Sequence, residues 1–252
     1  MSADLDFALA LANEADALSL PRFRAVDLRV ETKPDLTPVT DADRTVERAL
    51  RERLGDARVL GEEEGGARAA EGDVWILDPI DGTKNFSRGI PVWATLIALE
   101  RDGELVLGVV SAPALGHRWW AARGEGAYRD GERLDVSRIA RLEEATVSFS
   151  RSGLDAAPAH VLELVRRSWH AQPFSDFWAH LLVAEGAVEV AVEHEMNVWD
   201  NAALQVKLDE LIRVSQVKNM FVGIEKLSDA ELEEIRKMCE ARVTISLPLG
   251  SV

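Results

Sequence analysis

The chain has 252 residues, 47% of them apolar and 29% charged, and carries a formal net charge of −15. Those figures describe a soluble globular protein, long enough for one large domain or two layered subdomains. They argue against nucleic acid as a partner, since no basic stripe is visible, and no uninterrupted apolar run of roughly 18 residues predicts a membrane span. The N-terminus starts acidic, without the basic opening of a secretory signal, and one cysteine, Cys239, allows no internal disulfide. Together these predict a cytoplasmic protein.

In chain order, Leu5, Leu9, Leu11 and Leu18, with alanines between them, predict an amphipathic helix over residues 3–18. TDADRTVERALRERL predicts a second over 41–54, capped by Thr40 or Asp41. Strands follow at 58–61 and 73–78, then at 92–100 and 104–112, the last two joined through an Asp-Gly turn. HRWWAA and GAYRDGERLDV extend the antiparallel pattern. HVLELVRRSW and WAHLLVAEGA read as helices, VEVAVE as a strand and WDNAALQVKLDELIRV as a helix. Strands and helices come in blocks, so the expected fold class is α/β in stacked layers rather than a doubly wound parallel sheet. The expected organisation is an N-terminal α+β subdomain over 1–125, an α/β subdomain over 126–204 and a separate tail over 205–252.

The tail is set apart by composition. Residues 1–204 hold two lysines and twenty arginines, whereas 205–252 hold four lysines and three arginines. All seven tryptophans and all five histidines precede residue 205. Ser228 and Glu231 form a capping-box pattern for a helix DAELEEIRKMCEAR, and VTISL (243–247) is the segment able to act as a strand.

Four acidic clusters fall at element ends. Glu62 leaves a short apolar strand, Asp78 closes WILD, Pro79 denies the next residue a ladder donor, and Asp200 opens a helix. A turn through Ile80 would swing Asp81 back toward Asp78 and leave the Ile80 carbonyl pointing the same way. Gly82 and Thr83 follow, and a helical turn starting there would offer backbone N–H groups to a phosphate. Each residue alone also reads as a turn former, a solvated charge or a plain cap. Jointly they describe hard oxygen ligands for Mg²⁺ beside a phosphate cradle.

WILDPIDGTKNF, GEEEGG (61–66), KPDLTPVTDAD (33–43) and EHEMNVWDNAA (193–203) resemble, in order and approximate spacing, the inositol monophosphatase superfamily of Mg²⁺-dependent phosphatases. DGTKNFSRGIPVWATLIAL, with Lys84 and Trp93, is more similar to the histidinol-phosphate phosphatase branch than to the inositol-1-phosphate branch. The resemblance implies a layered α-β-α-β-α sandwich. It also implies a phosphomonoesterase that hydrolyses histidinol phosphate, with inositol-1-phosphate or a 3′-phosphonucleotide as the alternative substrate. Carried over residue by residue, Glu62, Asp78, Asp81 and Asp200, with the Ile80 carbonyl, match ligands for two or three Mg²⁺ ions. Thr83, supported by Asp43, matches the hydroxyl that positions the attacking water, and Glu62 helps to activate it. Gly82 and Thr83 match the phosphate contacts. Glu193 matches a contact to the leaving group, and Asp176 a contact to a cationic amine, although Ser175 stands where that branch has glycine. Family members commonly pair, so a homodimer is implied.

After WDNAA the resemblance stops. The Gly-Gly segment and further strands of the family are replaced by a stretch similar to the soluble segment of low-affinity iron permease proteins. That substitution predicts an atypical, helical C-terminal end and puts the placement of Asp200 in question. The other-class reading is a non-catalytic protein whose metal site was disabled by the exchange.

Overall fold

The computed structural model describes residues 2–139, 141–150, 159–193, 196–215 and 220–223. Two compact units form: residues 1–133 with 198–210, and residues 134–197 with the chain from residue 211 onward.

The first unit is built on a seven-stranded sheet. Its strands are β3 (Arg58–Gly61), β4 (Asp73–Asp81), β5 (Ala94–Arg101), β6 (Glu104–Ala112), β7 (His117–Ala122), β8 (Gly126–Arg129) and β9 (Glu132–Arg133). They lie side by side in sequence order, and every pair is antiparallel except β3 with β4. Asp102-Gly103 and Asp130-Gly131 all take positive φ, the two-residue turn whose twist matches paired strands. A short hairpin of β1 (Val30–Thr32) and β2 (Pro38–Thr40) stands apart from this sheet. It was not foreseen, because β1 is exposed throughout and has no apolar face to read.

Two helices cover one face of the sheet. In α1 (Ala3–Ser19), Ser2 caps the first turn by accepting from the Leu5 amide, and Leu5, Ala8, Leu11, Ala12 and Ala15 form the buried stripe. In α2 (Asp41–Leu54), Thr40 and Asp43 make a reciprocal capping box, and Gly55 ends the helix. Leu5, Leu11, Val46 and Leu50 pack with Trp75, Leu77, Ile97, Leu99, Leu107 and Val109 in one core. Each buried Leu contributes about 1.5–3 kcal/mol by leaving water. Leu107 and Val109 face that core, so Gly108 between them faces the opposite side. There α6 (Val198–Ser215) begins, so close that a Cβ on Gly108 would lie 2.4 Å from the Ala203 carbonyl oxygen. The first turns of α6 are therefore seated on β6 by a contact that only glycine permits.

The second unit holds a four-stranded sheet in the order β11-β10-β12-β13. Its strands are β10 (Thr146–Phe149), β11 (His170–Gln172), β12 (Val190–Glu193) and β13 (Met220–Gly223). Every pair is parallel. α4 (Ala159–Arg167) and α5 (Asp176–Ala184) connect successive strands, and α6 precedes β13, as parallel pairing requires. The block pattern anticipated from sequence thus holds for the first sheet and not for the second, whose strands of three or four residues are too short to show their alternation with helices.

β13 is the main departure from expectation in the tail. Met220–Gly223 pairs in register with Val190–Glu193, so a strand does follow α6, well before VTISL. VTISL and the helix predicted around Ser228 and Glu231 lie outside the described residues.

Candidate active site

The site grows from the way β4 ends. Sequence predicted that the strand would stop at Asp78 and turn through Ile80. Instead β4 runs on to Asp81, and its pairing with β5 slips between Asp78 (opposite Leu96) and Asp81 (opposite Ala94). One extra residue on β4 makes a bulge, which offsets the two-residue alternation and turns aspartates three positions apart toward the same side. Pro79 fits there because a bulge does not need its missing donor. Its carbonyl accepts from Thr95 Oγ1 at 2.8 Å. The Ile80 side chain is buried in a cluster with Ala42, Phe86 and Trp93, which fixes the direction of its carbonyl.

β3 brings in Glu62. Because β3 and β4 are parallel with Gly61 opposite Leu77, the next residues, Glu62 and Asp78, emerge together. The Glu62 amide donates to the Leu77 carbonyl at 3.2 Å. Asp200 arrives from the first turn of α6. Burial pushes the Asp78 carboxyl well above its ordinary range, and the charges of Glu62, Asp81 and Asp200 push it further. Among the described residues no donor reaches Asp78 Oδ1, although that atom is buried.

A second corner is built on α2. Asp43 is fully buried, and its Oδ2 accepts from both the amide and the hydroxyl of Thr40. Thr83 opens the short helix α3 (Thr83–Ser87) behind Gly82, whose positive φ of 83° makes the tight entry. Thr83 Oγ1 lies 2.9 Å from the Ile80 carbonyl and 3.1 Å from Asp43 Oδ1. One hydroxyl proton serves two acceptors, so it sits on one contact at a time. Burial raises the Asp43 carboxyl to about 6 against the pull of its hydrogen bonds to Thr40 and Thr83.

Two further groups matter here that sequence did not single out. The Lys33 ammonium, from the loop between β1 and β2, lies 2.8 Å from Glu62 and 2.6 Å from Glu63. Burial alone would lower Lys33, but the two carboxylates outweigh it and hold the ammonium above its usual range. Glu47, one turn after Asp43, is also fully buried. The available signals were that Lys33 is one of two lysines before residue 205, and that Glu47 interrupts an apolar helix face.

The structure thus brings Asp43, Glu62, Asp78, Ile80, Asp81, Thr83 and Asp200 into one neighbourhood of the first unit. Glu193 and Asp176 belong to the second unit, Glu193 buried at the end of β12 and Asp176 first in α5. Asp176 has a φ of 57°, a conformation costing a non-glycine residue on the order of 1–3 kcal/mol. His194 lies outside the described residues.

Among the described residues, no three carboxylates close into a ready-made cage for an ion. That is compatible with the chemistry: uncompensated carboxylates repel, and Glu62 is drawn to Lys33. The donors are all oxygens, carboxylates apart from the Ile80 carbonyl, and Asp78 Oδ1 is reached by no donor among the described residues. Such a set fits a hard divalent cation that keeps several waters, and does not fit a soft metal.

Comparison with known proteins gives a consistent picture. The model of the inositol monophosphatase family matches residues 2–211, and that of low affinity iron permease matches residues 190–246. A histidinol-phosphatase of Mycobacterium tuberculosis is 53% identical over 82% of this chain and 84% of its own length. A histidinol-phosphatase of Streptomyces coelicolor is 43% identical over 88% of this chain and 87% of its own. The solved structure of an IMPase from Thermotoga maritima superposes with a TM-score of 0.75 at 32% identity, covering 83% and 84% of the two chains.

Proposed function

The chain belongs to the inositol monophosphatase family, and from that premise we propose that it is a Mg²⁺-dependent phosphatase acting on L-histidinol phosphate. The observation that carries the metal half of this reading is Asp78. A fully buried carboxylate, crowded by Glu62, Asp81 and Asp200 and left with an oxygen no donor reaches, is stable as an anion only beside a cation. Glu62, Asp78, Asp81, Asp200 and the Ile80 carbonyl would hold two or three Mg²⁺ ions. Bound Mg²⁺ supplies charge neutralisation at the phosphate and lowers the pKa of a water.

The chain's own groups do the rest. The Gly82 and Thr83 amides, at the start of α3, orient a phosphate oxygen. Thr83 Oγ1 accepts a proton contact from the attacking water while passing its own hydrogen toward Asp43 Oδ1. Asp43 takes up the proton, and its carboxyl, raised to about 6, is basic enough to hold it transiently near neutral pH. Glu62 would orient the same water. The Ile80 carbonyl is the alternative acceptor for the Thr83 hydroxyl.

Substrate choice would rest on charge. Histidinol phosphate carries an ammonium and an imidazole, and inositol phosphate carries neither. Asp176 and Glu193 are carboxylates suited to that difference. The relatives named histidinol-phosphatase favour the first substrate. No helix among the described residues is long and apolar enough to cross a membrane. A cytoplasmic location and a homodimer complete the proposal.

The test is phosphate release from L-histidinol phosphate and from inositol-1-phosphate, with Mg²⁺ and with chelator. Release from histidinol phosphate that chelator abolishes supports the reading. Preference for inositol-1-phosphate replaces the substrate, and no release from either by the folded chain refutes the activity. Asp176→Asn should raise KM for histidinol phosphate by about tenfold and leave inositol-1-phosphate almost unchanged.

A further inference from the structure

Glu47 poses a question the reaction does not answer. It is a carboxylate with 0% exposure, set against GEEEGG, a loop that brings three more glutamates. Burying one anion among others is costly unless strong donors surround it. The donors are present, from the loop itself and from Arg51 on the same helix. Glu47 Oε2 accepts from the Glu63 amide at 2.7 Å, and Oε1 accepts from the Glu64 amide at 3.0 Å. Arg51, one turn further along α2, donates its Nε to Oε1 at 2.9 Å and reaches the Gly65 carbonyl at 2.5 Å. The Gly61 amide closes the loop onto that same carbonyl at 2.9 Å.

The fit is tight. A Cβ on Gly61 would lie 2.2 Å from Glu47 Oε1, so the loop can approach the carboxylate only because that position is glycine. Glu62 lies between Gly61 and the two amides that Glu47 holds. Its backbone is therefore fixed from both sides by α2, the helix that also carries Asp43 four residues earlier.

We propose that Glu47 is a positioning residue: through the Glu63 and Glu64 amides it clamps the 61–65 loop on α2 and so sets Glu62, a predicted ligand and water-orienting group, relative to Asp78 and Asp43. The inference rests on the metal-site reading of Glu62. Its distinguishing property is that Glu47 touches neither substrate nor ion, yet governs metal affinity through two backbone amides. Arg51 neutralises the charge, while the amide bonds do the positioning.

Glu47→Gln separates these roles, because an amide presents one N–H₂ group to donors that need acceptors. Three readouts apply to the full-length protein: the Mg²⁺ concentration for half-maximal activity, Mg²⁺ binding by calorimetry, and amide exchange of the 61–66 segment without metal. The expected result is Mg²⁺ affinity lowered about 10–100-fold in both metal measurements, with KM for substrate at saturating Mg²⁺ within about twofold. Exchange in 61–66 should quicken about tenfold or more, and β5 should stay protected. Arg51→Met, which leaves both amide bonds available, should change Mg²⁺ affinity much less. If Glu47→Gln fails to fold, Gly61→Ala tests the same clamp from the loop side and should weaken Mg²⁺ in the same way. Unchanged Mg²⁺ affinity in an active Glu47→Gln protein would overturn the positioning role alone, as would a loss of stability and rate with no shift in Mg²⁺ dependence. A wild-type chain that neither binds Mg²⁺ nor releases phosphate would overturn the phosphatase reading, and this inference with it.

Discussion

The two corners of the site are held in opposite ways. Around Asp43 both carboxylate oxygens are engaged, by Thr40 and by Thr83, and the helix cap that supplies Thr40 is part of the core packing. Around Asp78 the neighbours are other carboxylates, and no described donor reaches Oδ1. A group that must shuttle a proton benefits from fixed geometry. A group that must take up a cation is kept under-satisfied, and folding bears the cost. The contrast fits the division of labour in the proposed function, with Asp78 for metal binding and Asp43 for proton transfer.

Substitutions sharpen that division, and the largest effect should come at Asp78. Asp78→Asn keeps the shape and removes the charge, so Mg²⁺-dependent turnover should fall by about 10³-fold or more, measured as kcat/KM across a Mg²⁺ series. Activity retained at ordinary Mg²⁺ would refute the metal assignment. Thr83→Ala and Asp43→Asn should each lower kcat by about 10²–10³-fold while Mg²⁺ affinity changes little. A double variant no worse than either single one would show that the two act as one unit.

Gly108→Val should come next. Its side chain cannot fit under the Ala203 carbonyl, so α6 must lift from β6 and take Asp200 with it. The expectation is a loss of Mg²⁺ affinity of about tenfold, smaller than at Asp78 because one ligand moves and the others stay. Unchanged affinity would mean that Asp200 is not held by this contact.

The smallest effect lies away from both corners. His180, in α5, is buried, and burial pushes its imidazole down to about 3. The folded state thus keeps it neutral where the unfolded chain, with a pKa near 6.5, binds a proton. Above about pH 6.5 it costs nothing; below that, stability should decline by up to about 1.4 kcal/mol per pH unit until the folded group itself titrates. Denaturant midpoints at successive pH values should show this slope, and His180→Leu should flatten it. An unchanged slope would assign the acid sensitivity to other groups.

Much of this was legible in the sequence, for identifiable reasons. The boundaries of α2 and β6 followed from caps, Asp-Gly turns and sustained apolar patterning, all local signals. The motif around Asp78 pointed to the family because its residue types have few other uses in combination. What was not legible depended on partners far along the chain. The bulge at Pro79 exists only through pairing with β5, so sequence read a turn where the strand continues. Lys33 and Glu47 bond a loop 16 or more residues away, and no spacing rule links them to it. β13 was missed because four residues are too short a run to read as a strand, and only its pairing with β12 reveals it. The concern that a foreign tail would displace Asp200 has a local answer in the seat of α6 on Gly108, which lies wholly within the first unit.

The most direct test of the division between the corners is the Mg²⁺-induced rise in melting temperature, measured for the wild-type chain, Asp78→Asn and Asp43→Asn. A ligand that binds only the folded state must raise it. The account predicts a clear rise for the wild type and for Asp43→Asn, the latter despite its lowered kcat. For Asp78→Asn it predicts no rise, together with a metal-free melting point above that of the wild type, because a repelled buried charge has been removed. Equal Mg²⁺ shifts in all three proteins would contradict it.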